Sequence, residues 1–110
     1  EHHMERRWSH RVPLREKVTV YCQGSQVLTA PCRNIGLEGM LIDTTPEALP
    51  LYRAVEVEFN LTLQGRAQRL RIPAYVTHTD DGVGLMFTGD DPAPHRIIDE
   101  FIRAGAAATV

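Results

Sequence analysis

Aromatic residues are scarce in this chain, at 6% of 110 residues. That leaves few flat rings for the stacking platform on which small barrels hold single-stranded nucleic acid. The two cysteines, Cys22 and Cys32, form no CxxC pair, which argues against a disulfide framework or a zinc site. His10, His78 and His95 are scattered without ligand spacing, so no metal or other cofactor is expected. No apolar run approaches the roughly 18 residues of a membrane span. The polar start lacks the apolar stretch of a signal peptide. The expectation is a protein of the reducing cytoplasm with no membrane insertion. The net charge of −2 lacks the basic excess of a general nucleic-acid binder, so no DNA or RNA partner is expected.

Apolar material is sufficient, at 43% of the chain, for one domain with one core. Glu1, His2 and His3 precede Met4 and read as a tag remnant, residues 1–3, so the natural chain is expected to begin at Met4. Residues 4–14 are polar and arginine-rich and read as an extended arm. From Lys17 the pattern alternates: Val18, Val20 and Cys22 against Lys17, Thr19 and Tyr21, a half-buried strand. Gly24-Ser25 is expected to turn it into a strand from Val27 to Arg33, with Pro31 marking an edge or a bulge. That register sets Cys22 opposite Val27 and keeps the cysteines too far apart to bridge.

Asn34–Gly39 reads as a turn, Met40–Ile42 as a short buried strand, and 43–51 as a loop. Val55, Val57, Phe59 and Leu61 alternate with Glu56, Glu58 and Asn60, the clearest amphipathic strand. Gln64-Gly65 turns it into a long strand over 67–79, bent near Pro73, and Asp80-Asp81-Gly82 leads into a last strand over 83–88. The period then changes. Ile97, Ile98, Phe101 and Ile102 fall at helical spacing behind Pro92 and Pro94, with Gly105 expected to end the helix and 105–110 to fray. The fold class is therefore all-β: six antiparallel strands closed into a barrel, a flexible N-terminal arm and one C-terminal helix, with barrel and helix spanning 15–104.

Two clusters carry chemistry. In the first, Arg6, Arg7 and Arg11 surround Trp8. Arginine offers a planar fork of donors that fits phosphate oxygens and the O6 and N7 edge of guanine, and its flat face stacks on bases. The second is Asn34-Ile35-Gly36-Leu37-Glu38-Gly39, where Asn34 suits a base edge and the two glycines let backbone N–H groups approach a ligand. Taken singly, each has a plain structural reading: a solvated terminus, and a turn.

Together they resemble the PilZ domain family. Arg7-x-x-x-Arg11 is similar to its RxxxR motif, and Asn34-x-Gly36-x-x-Gly39 to its (D/N)xSxxG motif. Gly82-Val83-Gly84-Leu85-Met86-Phe87 looks like its glycine-containing final strand. The resemblance covers residues 5 to about 103 and implies a PilZ-type barrel that binds cyclic di-GMP. By it, Arg7 and Arg11 contact phosphates and guanine, Arg6 adds a further contact, Asn34 holds a guanine edge and Gly39 keeps the turn open. Gly36 departs from the family's serine. One lost hydrogen bond of about 0.5–1.5 kcal/mol implies binding weaker by roughly three- to tenfold. The expected mechanism is an arm ordered by ligand, with the signal passed to a downstream protein partner. A PilZ domain acting only as a protein–protein adaptor is the alternative. A single-stranded nucleic-acid binder remains open on the arginines alone. No catalytic Ser/His/Asp or Cys/His arrangement is present, so no enzyme is expected.

Overall fold

The hydrophobic alternation read along the chain becomes a closed sheet in the computed structural model, which describes residues 11–80 and 82–108. The strands are β1 (Arg11–Pro13), β2 (Lys17–Cys22), β3 (Ser25–Gly36), β4 (Gly39–Ile42), β5 (Ala54–Leu63), β6 (Arg66–Thr79) and β7 (Gly82–Phe87). A 3-10 turn, Pro46–Ala48, lies between β4 and β5, and helix α1 (Pro92–Ala108) follows β7. All pairings are antiparallel, in the order β3-β2-β5-β6-β7-β4, and β4 pairs back onto β3. These six strands form the barrel, and closure leaves them no open edge. Their alternate side chains fill it: Val18, Val20, Ile35, Ile42, Val57, Leu61, Ile72, Val76, Val83 and Leu85 are all essentially inaccessible.

Four local differences from the sequence reading have physical causes. The first hairpin turns at Gln23-Gly24, one residue early, with Cys22 opposite Ser25. Both turn residues have positive φ, 53° and 82°, as a two-residue turn matched to strand twist requires. The pairing then slips, from Tyr21↔Gln26 to Val20↔Leu28, and Val27 is left as an exposed extra residue. The turn Gln64-Gly65, with φ of 53° and 77°, stands where the sequence put it. Both cysteines are free.

The second difference is at the N-terminus. Arg11–Pro13, read as the end of an arm, is a strand, because Val12 and Leu14 bury their side chains in the core. β1 pairs with the far end of β3, beyond the stretch that pairs with β2. The bridging bonds are Leu14 N–H to the Arg33 carbonyl (3.3 Å) and Cys32 N–H to the Glu16 carbonyl (2.8 Å). The third is that Asn34–Gly36 belongs to β3 and Gly39 to β4, so the turn shrinks to Leu37-Glu38.

The fourth is α1, which runs through Gly105 to Ala108. Gly105 lies against Val12, and the alanines after it are strong helix formers. The Asp91 carboxylate accepts a hydrogen bond from Ala93 N–H (3.1 Å), a cap ahead of Pro92. Ile98 and Ile102 are buried, and Ile97 and Phe101 pack beside them on the core. The apolar stripe of the helix therefore serves the barrel.

Candidate nucleotide-binding groove

A bulge sets up the candidate site. Residues two apart on a strand share a face, so Cys32 and Asn34 would both point inward or both outward. The register moves from Cys32↔Ile42 to Asn34↔Leu41, leaving one extra residue at Arg33. Cys32 and Ile35 then face the core while Asn34 turns out. Burial pushes the Cys32 thiol up to about 12, and the protonated thiol donates to the Asn34 carbonyl (3.3 Å). It stays a neutral packing group at the root of the site.

Outside the barrel, the register aligns Asn34, Leu41, Gly84 and Thr77 across four neighbouring strands. Arg11 faces Gly36, and Gly39 faces Met86. Arg11, Asn34, Met40, Leu41, Thr77, Thr79, Gly84 and Met86 line a groove of about 260 Å³. Small residues make its floor, Leu41 and Met86 give apolar walls, and Arg11 with Asn34 forms a polar rim. Its volume lies below the roughly 300–1,000 Å³ of pockets that enclose a drug-sized ligand, so any ligand of that size must extend past it.

Arg11 is held in place. Its Nη1 donates to Asn34 Oδ1 (3.2 Å) and to the Gly39 carbonyl (3.4 Å), and Nη2 lies 3.7 Å from Glu38 Oε2. The turn beneath is pinned by Phe87 N–H donating to the Glu38 carbonyl (2.9 Å). Gly39 has a packing reason as well: a Cβ there would collide with the Leu85 carbonyl oxygen. Gly84 is similar, its missing Cβ leaving space that Thr77 Oγ1 occupies.

Of the residues singled out in the sequence, Arg11, Asn34, Gly36 and Gly39 come together here. Arg6, Arg7 and Trp8 lie outside the described residues. The sequence pattern does not reveal Leu41, Thr77 and Thr79, because only cross-strand register brings them to one face; Gly84 and Met86 stand out in it only as part of the final strand. Beyond Met86 the row continues to Tyr75, whose ring meets that of Tyr52 at 6.4 Å. Scarce aromatics thus still give one exposed pair, short of a platform for a run of bases. A second cavity, about 350 Å³, is lined by Tyr21, Gln23, Gly24, Ala54, Val55 and Glu56. It is the larger, but its one charged lining residue is an acid, which suits no phosphate. Among the described residues no group of three or more His, Cys, Asp or Glu side chains gathers as a metal site, and no helix is long and apolar enough to cross a membrane.

The family model of the PilZ domain matches residues 5–104. A comparison with curated proteins finds no match. Among solved structures, the chain is similar to the crystal structure of the PilZ domain of CeSA from a cellulose-synthesizing bacterium. The identity is 23% and the TM-score 0.58, covering 93% of this chain and 100% of that one. At that identity the likeness speaks to the fold, a six-stranded antiparallel barrel with a C-terminal helix.

Proposed function

The chain belongs to the PilZ domain family, and on that premise we propose that it is a receptor for cyclic di-GMP that signals through protein–protein contacts. The observation that carries this reading is Arg11, held on the rim of a groove by Asn34 and Gly39. Arg11 of the first family motif is thereby bonded to Asn34 and Gly39 of the second, from a separate part of the chain. Restrained in advance, the guanidinium loses little freedom when a phosphate or a guanine edge arrives. The groove takes one portion of the ligand. Arg7 and Arg6 grip the portion that extends past it, and Asn34 also holds a guanine edge. A change in the conformation of the N-terminal arm on ligand binding then creates the surface that a downstream partner reads. The ligand is the signal, with no cofactor and no chemical step. The setting is the cytoplasm, a reducing compartment in which both cysteines stay free.

A second reading has its own observation. Gly36 withholds the serine hydroxyl, and Glu38 places an acid beside Arg11. Both weaken an anion site and favour an adaptor that works without nucleotide. Calorimetric titration with cyclic di-GMP separates the two. Roughly micromolar or tighter binding is expected, weakened by about ten- to a hundredfold in Arg7→Ala and in Arg11→Ala, the loss for hydrogen bonds to a charged group. No heat from the wild-type chain would overturn the receptor reading and leave the adaptor.

A further inference from the structure

Arg11 is gripped from two sides, and the two grips differ in kind. Asn34 Oδ1 and the Gly39 carbonyl accept hydrogen bonds from Nη1 at 3.2 and 3.4 Å. These are neutral acceptors, and they suffice to orient the guanidinium toward the groove. Glu38 is different. Its Oε2 lies 3.7 Å from Nη2, too long for a hydrogen bond, and it stands outside the groove lining. Both side chains are about 30% exposed (31% and 29%), so water weakens the pair. Glu38 therefore adds little to orientation. What it adds is a full negative charge beside the cation that the ligand's phosphates must use.

The backbone that carries that charge is fixed beside the groove. Glu38 occupies one of only two turn residues between β3 and β4, and its carbonyl accepts the Phe87 N–H at 2.9 Å. When ligand arrives the carboxylate can move only by rotation of its own side chain, not with a mobile loop. We propose that Glu38 is an affinity-setting residue: it partly neutralises Arg11 in the empty groove, repels the incoming phosphodiester, and so raises the concentration of cyclic di-GMP needed for occupancy. This rests on the reading of the groove as the ligand site. It separates the roles within the turn motif, with Asn34 and Gly39 holding the arginine in position and Glu38 setting its effective charge.

The test is calorimetric titration of the full chain with cyclic di-GMP, comparing wild type with Glu38→Gln, Glu38→Ala and Glu56→Gln. Glu56 is the control because it pairs with Arg71 on another part of the barrel, and its replacement makes the same change in net charge. Both Glu38 variants are expected to bind about three- to tenfold more tightly, the effect of removing one charge a few ångströms from an anion in partly exposed surroundings. Glu56→Gln is expected to stay within about twofold. Unchanged binding in the Glu38 variants would overturn the proposal while leaving the receptor reading intact. Weaker binding would also overturn it and make Glu38 a positioning residue for Arg11. Equal tightening in Glu56→Gln would overturn it by tracing the effect to net charge. Absence of binding in all four chains would remove the receptor reading and this proposal together.

Discussion

Two outer faces of this barrel carry arginines, and they use them differently. On the β2–β5–β6 face, Arg71 Nε donates to Glu56 (2.9 Å) and its guanidinium lies 4.0 Å from the Tyr21 ring centroid. Arg69 lies 3.8 Å from Glu58, and Glu58 accepts the Tyr21 hydroxyl (2.9 Å). That bond to a carboxylate, first among the causes, raises the Tyr21 hydroxyl above its ordinary range. Charges on this face match across the strands and satisfy one another. On the β3–β4–β7 face, Arg11 has two neutral hydrogen-bond acceptors, one acid at 3.7 Å and a groove floored with small residues. An arginine count does not distinguish the faces. What lies opposite each arginine does.

The glycines give the largest contrast. Gly39→Ala on the groove face drives a Cβ into the Leu85 carbonyl between paired strands. A loss of about 3 kcal/mol is expected, read as a fall of more than 10 °C in the melting temperature. Gly24→Ala, in the hairpin of the other face, meets nothing within 4 Å and costs only its positive φ of 82°, about 1 kcal/mol. Similar melting temperatures for the two would show that β4 and β7 do not approach as closely as described.

Alkaline pH gives the next largest effect. The folded Cys32 thiol titrates at about 12, above its unfolded value near 9. Its contribution is present in full below pH 9 and is lost as pH rises toward 12, because the unfolded chain releases the proton first. By pH 11 the loss is about 3 kcal/mol. Denaturant titrations at pH 9 and pH 11 should show Cys32→Ala flattening this decline. A decline that persists in Cys32→Ala would assign it to other groups.

Smaller effects sharpen the comparison. Gly36→Ser restores the family hydroxyl and is expected to tighten cyclic di-GMP binding by roughly three- to tenfold in calorimetry. Weaker binding would mean that the buried end of β3 has no room for it. Arg71→Ala removes an exposed pair, so stability should change by less than about 1 kcal/mol and ligand affinity not at all.

The barrel was legible because most strands obey one rule, apolar inside and polar outside, as over Val55–Leu61. The failures share a cause, the dominance of distant pairing over local pattern. Asn34-x-Gly36-x-x-Gly39 has turn composition, yet pairing with β1 and β4 extends it as strand. β1 is hidden because three residues with an arginine and a proline carry no periodicity until Val12 meets Ile35. Arg11 and Asn34 were legible as chemistry from their side chains and the family spacing. The groove between them was not, since Leu41, Gly84 and Thr77 become neighbours only through register and the Arg33 bulge.

The most direct test of the difference between the faces is a backbone amide NMR titration of the full chain with cyclic di-GMP. The account predicts shifts concentrated at Arg11, Asn34, Gly39, Leu41, Thr77 and Gly84, with Tyr21, Gly24, Glu56 and Arg71 unmoved. Shifts concentrated around Tyr21, Gly24 and Glu56 would place the ligand in the other cavity and contradict it.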